Sequence, residues 1–222
     1  MIEYWQYLPK ILQGIGITLL LTLGSMILGM ILTLIFTIGK ELGPPLFRKL
    51  IDLMIWFICG TPLLVQIFLL YFGVAQFEWV RNSLLWSVLQ YPFACAIIAL
   101  TLNTACYSTV LFLGAIRSLP KNEVTAAYAL GFTKWQAFKT IVLPRALQVV
   151  APAYSNEVIM IVKNTSLAST ITILDIMGVT QQLITESYQA IEWYMVAGLL
   201  YLVVNFFVMG LYQYFRKRNF YF

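Results

Sequence analysis

The sequence predicts an all-α integral membrane fold of five transmembrane helices, gathered in a single domain over residues 1–222. Three observations carry that prediction. The chain is 61% hydrophobic and only 10% charged, where a soluble domain is roughly half apolar and about a quarter charged. So few charges cannot cover an aqueous surface, and lipid must solvate much of it. The charges that remain leave long gaps, and the basic residues gather on alternate sides of those gaps.

Spanning the hydrocarbon core takes about 20 largely apolar residues. No charge falls between Lys10 and Lys40, between Asp52 and Glu78, between Arg81 and Arg117, or between Glu192 and Arg216. A shorter apolar stretch follows Arg145 and is interrupted by Glu157 before Lys163. The spans read as residues 14–39, 53–74, 93–116, 146–164 and 193–215. The first is too long for a signal-peptide core and lacks a small-residue cleavage site, so it is expected to be retained. Five spans place the termini on opposite sides. One side collects Lys40, Arg48, Lys49, Arg117, Lys121, Lys134, Lys139, Arg145, Arg216, Lys217 and Arg218; the other holds Lys10, Arg81 and Lys163. The positive-inside rule then puts the N-terminus outside and the C-terminus in the cytoplasm, with Arg216-Lys217-Arg218 as a topology anchor. Trp5, Trp79, Trp86 and Trp193 fall in outer loops, as an interfacial aromatic belt would.

The same inventory excludes several functions. The chain has no histidine, so it lacks the commonest general base and metal ligand. Cys59, Cys95 and Cys106 sit in apolar runs without metal-ligand spacing, and no metal site is expected. No phosphate loop, nucleophile elbow or zinc-protease motif occurs. A catalytic role and a cofactor of its own are therefore not expected, and the placement of the cations argues against nucleic acid.

The longest inner loop, residues 117–145, is patterned as a helical corner. Pro120 suits a first helical turn, helix formers run to Leu130, and Gly131 supplies a left-handed stop. Thr133 and Gln136 are spaced as a capping box for a second helix, expected to end by Pro144. Ala126-Ala127, Gly131 and Ile141-Val-Leu-Pro144 have the spacing of the Glu-Ala-Ala signature loop, and here the chain resembles the permeases of ABC importers. Thr125 stands where that signature has its glutamate, and Glu123 lies two residues early. Further stretches resemble the polar amino acid branch of that family, arginine transporters in particular. They are Gly60-Thr-Pro-Leu-Leu-Val-Gln66 (with Cys59 in place of an arginine), Ala153-Tyr-Ser-Asn-Glu-Val158, Lys163-Asn-Thr-Ser-Leu-Ala168 and Tyr201-Leu-Val-Val-Asn205.

The resemblance implies a type I importer-like permease in a bacterial inner membrane, with the corner as the coupling helix. Glu123, Thr125, Ala126, Ala127, Gly131 and Pro144 would then serve ATPase coupling. It implies a second permease subunit (another copy or a paralogue), a cytoplasmic ABC ATPase dimer holding ATP and magnesium, and a periplasmic amino acid-binding protein. The implied substrate is a polar, basic amino acid such as arginine. A neutral or acidic amino acid of the glutamine or glutamate type is the alternative, and a non-transporting membrane scaffold the remaining rival.

Polar residues inside the spans are the candidate site. In span four Asn156, Glu157, Met160, Lys163 and Asn164 fall within about 120° of one another on a helical wheel. That stripe either lines a translocation path or lets Glu157 and Lys163 neutralise each other across about 9 Å of axis. Asn103 and Tyr107 head a stripe in span three that either meets substrate or packs helices. In span two Pro62 removes a donor and pushes Thr61 out of helical geometry, so Gly60, Thr61, Pro62 and Gln66 mark a gate hinge or a structural kink. Residues 164–192 read as short helices at the outer mouth, with Glu78, Asp175, Glu186 and Glu192 an acidic rim that attracts cations.

Overall fold

The computed structural model describes residues 7–220. Trp5, and the side chain of Arg218, lie outside the described residues. Every regular element among them is helical.

Helix α1, Leu8–Leu42, starts with proline in its first turn and is the longest element. It turns inside out relative to a soluble helix. Its buried face is a stripe of small and hydroxylated residues, including Gly14, Thr18, Thr22, Ser25, Gly29 and Thr33, while Leu12, Leu20 and Ile27 point outward. Gly14 and Thr18 meet Val179 and the Ile176 N–H, while Gly29 and Thr33 lie against α6, Pro92–Ser118, whose buried face carries Thr101, Thr104, Ser108 and Thr109. Small residues let two backbones approach where lipid offers no hydrophobic drive. A Cβ at Gly29 would come within 2.9 Å of Thr104, which measures how close the approach is.

Helix α2, Pro45–Gly60, stops at the predicted break. Thr61 is extended (φ −120°, ψ 146°), and α3, Leu63–Phe68, restarts beyond Pro62. The continuation runs through a π-helical turn at Leu69–Gly73 and a 3-10 turn at Val74–Gln76. The two halves bend by 108°, so the kink expected within residues 53–74 is a sharp fold of the span. Short helices α4, Glu78–Arg81, and α5, Trp86–Leu89, lead into α6.

Beyond α6 comes the corner: α7, Lys121–Ala129, then α8, Lys134–Ala137. The second helix does not end at Pro144. A π-helical turn at Phe138–Val142 carries it into α9, Leu143–Asn164. There the Leu143 N–H reaches back five residues to the Phe138 carbonyl, and the widened turn accommodates the proline at the start of α9. The expected boundary between loop and span at 145–146 is thus the interior of one continuous helix.

A 3-10 segment, Thr165–Ile171, follows α9 and dips into the bundle, where Ala168, Ile171 and Ile173 pack with Leu21, Ile67 and Leu100. Thr172 then takes a left-handed turn (φ 68°) into α10, Ile176–Ser187, and α11, Ala190–Phe220, closes the fold. Helices α1, α6 and α11 are each long and apolar enough to cross a membrane, and counting each of the two bent pairs as one span brings the number to five.

Two outer-rim expectations change. Trp193 is not an interfacial residue: it is 1% exposed, edge-on to Tyr7 at 5.4 Å, and its indole N–H donates to Ser187 Oγ. Asp175 is fully buried and does not reach the mouth. It caps α10 by accepting from the Gly178 N–H at 2.9 Å, and its other oxygen accepts from the Tyr201 hydroxyl at 2.8 Å. Burial of a carboxylate is tolerable there because donors meet both oxygens.

Candidate functional site

The break between α2 and α3 organises the candidate site. Pro62 has no N–H to offer the Ile58 carbonyl four residues back, and a bare carbonyl inside a membrane bundle is costly. Gln66 supplies the missing donor. Its Nε2 donates to the Ile58 carbonyl at 2.8 Å, the Thr61 carbonyl at 3.0 Å and Thr61 Oγ1 at 2.9 Å. Thr61 Oγ1 donates in turn to the Phe57 carbonyl. From α6, the Tyr107 hydroxyl donates to the Cys59 carbonyl at 3.3 Å. Three side chains therefore substitute for the backbone ladder by meeting the Phe57, Ile58, Cys59 and Thr61 carbonyls, and the 108° bend is a specified conformation.

The bend opens a cleft of about 250 Å³ lined by Thr61, Pro62, Leu63, Asn103, Tyr107, Glu157, Met160 and Asn164. Residues from three separated stretches of the sequence thus meet at one place. Asn103 is 8% exposed, and Glu157 is half-buried on α9. No ion pair among the described residues involves Glu157; the three present are Lys10–Glu186, Lys40–Asp52 and Arg145–Glu123. Lys163 does not neutralise it. The lysine instead lines a groove between α9 and α11 with Gly198, Tyr201 and Asn205. Asn156 is exposed on α9 and also lies outside the cleft. Gln66 and Gly60 do not line it either; Gln66 acts from behind, on the backbone of the break.

The helical corner is built as its spacing predicts. Gly131 sits at φ +82°, and the Phe132 N–H bonds to the Ala127 carbonyl at 3.0 Å while the Gly131 N–H bonds to Tyr128. That pair of bonds is a Schellman cap. Thr133 and Gln136 form the reciprocal capping box. Ala126 is exposed, but Ala127 is packed inward at 2% exposure, so one alanine of the pair faces outward. Thr125 Oγ1 turns back to the Lys121 carbonyl, and Glu123 binds Arg145 at 2.6 Å, tying α7 to the start of α9. Sequence reasoning missed Arg145 as that partner. It also missed the apolar residues the corner presents: Tyr128, Leu130 and Trp135 are 48%, 78% and 50% exposed. A tryptophan and a leucine in a charged loop were the available signal.

A bundle that hides hydroxyls and shows leucine, with a polar cleft held at a broken helix, defines a polytopic membrane protein of the solute-conducting kind. Comparison with known proteins gives the family. Residues 42–221 match the model of the binding-protein-dependent transport system inner membrane component, and the chain belongs to that family. It is 43% identical over 202 residues to the arginine ABC transporter permease protein ArtM of Haemophilus influenzae, covering 91% of this chain and 88% of the relative. The histidine/lysine/arginine/ornithine transport system permease protein HisM of Salmonella typhimurium is 35% identical, covering 97% of this chain and 94% of the relative. Among solved structures, the crystal structure of an amino acid ABC transporter with histidines superposes with a TM-score of 0.83 at 25% identity, covering 96% of this chain and 95% of that one. An inward-facing form of the MetNI methionine ABC transporter shares the fold, with a TM-score of 0.74 at 16% identity over 96% of this chain and 98% of that one. The chain is thus an inner-membrane component of a transport system, as its sequence pattern implied.

Proposed function

We propose that this chain is the permease subunit of an ATP-driven importer for a basic amino acid of the arginine type. The observation that carries the reading is Glu157, a carboxylate in the cleft at the helix break with no cationic partner among the described residues. Even a half-buried charge within a membrane span is costly unless it meets an opposite charge. A substrate guanidinium would supply that charge and bond both carboxylate oxygens, leaving Asn103 to bond the amino acid's polar end and Tyr107 to wall the cleft. The relatives, among them arginine and histidine/lysine/arginine/ornithine permeases, support the same class.

In this reading the Thr61-Pro62 break is the hinge and the cleft opens alternately to each side as the bundle rocks. Coupling enters at the corner. Ala126, Tyr128, Leu130 and Trp135 offer a docking face to a cytoplasmic ABC ATPase, whose dimer binds ATP and magnesium, and Gly131 and the Glu123–Arg145 pair hold that face at a fixed angle to α9. Pro144 tunes the π-helical turn that transmits it. A periplasmic binding protein delivers substrate outside, where the N-terminus lies, and the C-terminus lies in the cytoplasm. A second permease subunit completes the pathway, because the cleft is open on one side of this chain: Met160 and Tyr107 are 48% and 41% exposed there. Asn156, exposed on α9, would line the wider path, while Lys163 lies in the groove against α11 and stays out of the way of a cationic solute.

Glu157→Gln discriminates, since it keeps shape and removes charge. Arginine uptake into vesicles, driven by saturating loaded binding protein, should fall at least tenfold. Unchanged uptake would move selectivity to the binding protein and leave Glu157 a structural carboxylate.

A further inference from the structure

A second cavity, of about 400 Å³, opens where the ends of α1 and α6 meet the corner. Arg117, Lys121 and Lys134 all line it, and Glu41 is the one carboxylate on its wall. None of these four takes part in an ion pair among the described residues. The cavity therefore holds two more positive than negative groups, concentrated in a concave site. Most of the rest of its wall is apolar, with Leu42, Ile116, Leu119, Val124, Phe138 and Val142, and Tyr128 completes it at the corner. Thr125 also faces it. The signature loop has a glutamate at that position, and a carboxylate there would offset part of the charge. Threonine carries no charge to offset it, and its hydroxyl bonds back to the Lys121 carbonyl.

We propose that this cavity binds the phosphate of an anionic phospholipid headgroup from the cytoplasmic leaflet. Like-charged groups in a concave site raise the local concentration of counter-ions, and basic pockets at the cytoplasmic ends of membrane helices suit anionic headgroups. The apolar wall decides between sources of phosphate. A free phosphate ion loses hydration against Leu42, Phe138 and Val142 and gains nothing from them, whereas the glycerol and first methylenes of a lipid bury there. A lipid in the bilayer also already lies at the depth of the α1 and α6 ends. The site touches both the corner and the spans, so an occupied headgroup would brace α7 against α1. The leaflet follows from the importer reading; the charge and shape of the cavity do not.

The test is native mass spectrometry of the assembled, detergent-solubilised transporter without ATP. It is titrated with phosphatidylglycerol and with phosphatidylcholine of the same chains. Wild type should retain phosphatidylglycerol at a concentration at least tenfold lower than phosphatidylcholine. Each cation removed should cost roughly fivefold, so Arg117→Gln with Lys134→Gln should erase the preference. Thr125→Glu should weaken it without removing any cation, which guards against misreading a poorly folded double variant. Lys49→Gln with Lys217→Gln lowers net charge equally, away from the cavity, and should keep it. No headgroup preference in wild type, or an equal loss in that control pair, overturns the proposal. Displacement of phosphatidylglycerol by millimolar inorganic phosphate overturns the lipid assignment and makes the ligand a free anion. Binding is read without transport, so loss of this preference with arginine uptake intact removes the lipid site alone, and the reverse result removes the importer reading alone.

Discussion

The Gln66 staple can be tested by replacing it with a side chain of similar volume that cannot donate. Gln66→Leu removes the bonds from Nε2 to the Ile58 and Thr61 carbonyls at 2.8 and 3.0 Å. Pro62 has no N–H to restore the first. Leaving a buried acceptor bare costs about 1–3 kcal/mol, so two carbonyls set a gross penalty of about 2–6 kcal/mol. The substitution also deletes Gln66 Oε1, a buried oxygen with no partner, and that relief returns about 1–3 kcal/mol. Hydrogen bonds between membrane helices measure at the lower end, about 0.6 kcal/mol on average, because the loosened chain finds other partners. The net expectation is a loss of about 1–3 kcal/mol. Graded unfolding of the purified protein in mixed detergent micelles reads it. Gln66→Glu should be worse, since a carboxylate set against the same carbonyls repels them. A Gln66→Leu protein within about 0.5 kcal/mol of wild type, transporting normally, would refute the claim that side chains hold this break.

Gly131→Val should strain the left-handed corner by about 1–2 kcal/mol or more, so that the permease still inserts but ATPase activity no longer responds to loaded binding protein. Asp175→Ala removes the cap of α10 and strands the Tyr201 hydroxyl, and should lower stability by about 2–4 kcal/mol in the same unfolding assay. Glu186→Gln, which breaks the exposed pair with Lys10, should change it by less than about 1 kcal/mol. A cysteine at position 134, in a background lacking Cys59, Cys95 and Cys106, should react with a membrane-impermeant maleimide only after the cells are opened; labelling of intact cells would reverse the proposed orientation.

What could be read from the sequence follows from the range of the forces involved. Local chemistry was legible. Gly131 needs only its own φ, and the Thr133–Gln136 box needs only a three-residue spacing, so both appear as expected. The break at Thr61-Pro62 was legible for the same reason, since proline acts on its immediate neighbours. Its size was not. A bend of 108° depends on Tyr107 from α6 and Gln66 from beyond the break satisfying the exposed carbonyls. Asp175 and Trp193 misled because hydropathy reads a residue alone. Asp175 is buried by virtue of two donors, one of them Tyr201 from another helix, and Trp193 by virtue of Tyr7 and Ser187. Pro144 misled in the opposite sense, since a π-helical turn let the helix pass through it.

The polar stripe of α9 combines both kinds of information. At 100° per residue, Glu157, Met160 and Asn164 fall within about 60°, with Asn156 and Lys163 about 100–120° from Glu157. A wheel gives those angles but not the neighbours that fill them. Helix α9 packs against α6 on one side and α11 on the other. Its stripe is therefore divided: the narrow group turns to the cleft with Asn103 and Tyr107, and Lys163 turns to Tyr201 and Asn205. The division has an electrostatic consequence. Had Lys163 faced the cleft, its ammonium would have met Glu157 and repelled a cationic solute. Turned away, it leaves the carboxylate as the only formal charge among the residues lining the cleft. A single negative charge, an amide and a phenol facing one small cleft favour a ligand that brings a positive charge and hydrogen-bonding groups of its own, which is the chemistry of a basic amino acid.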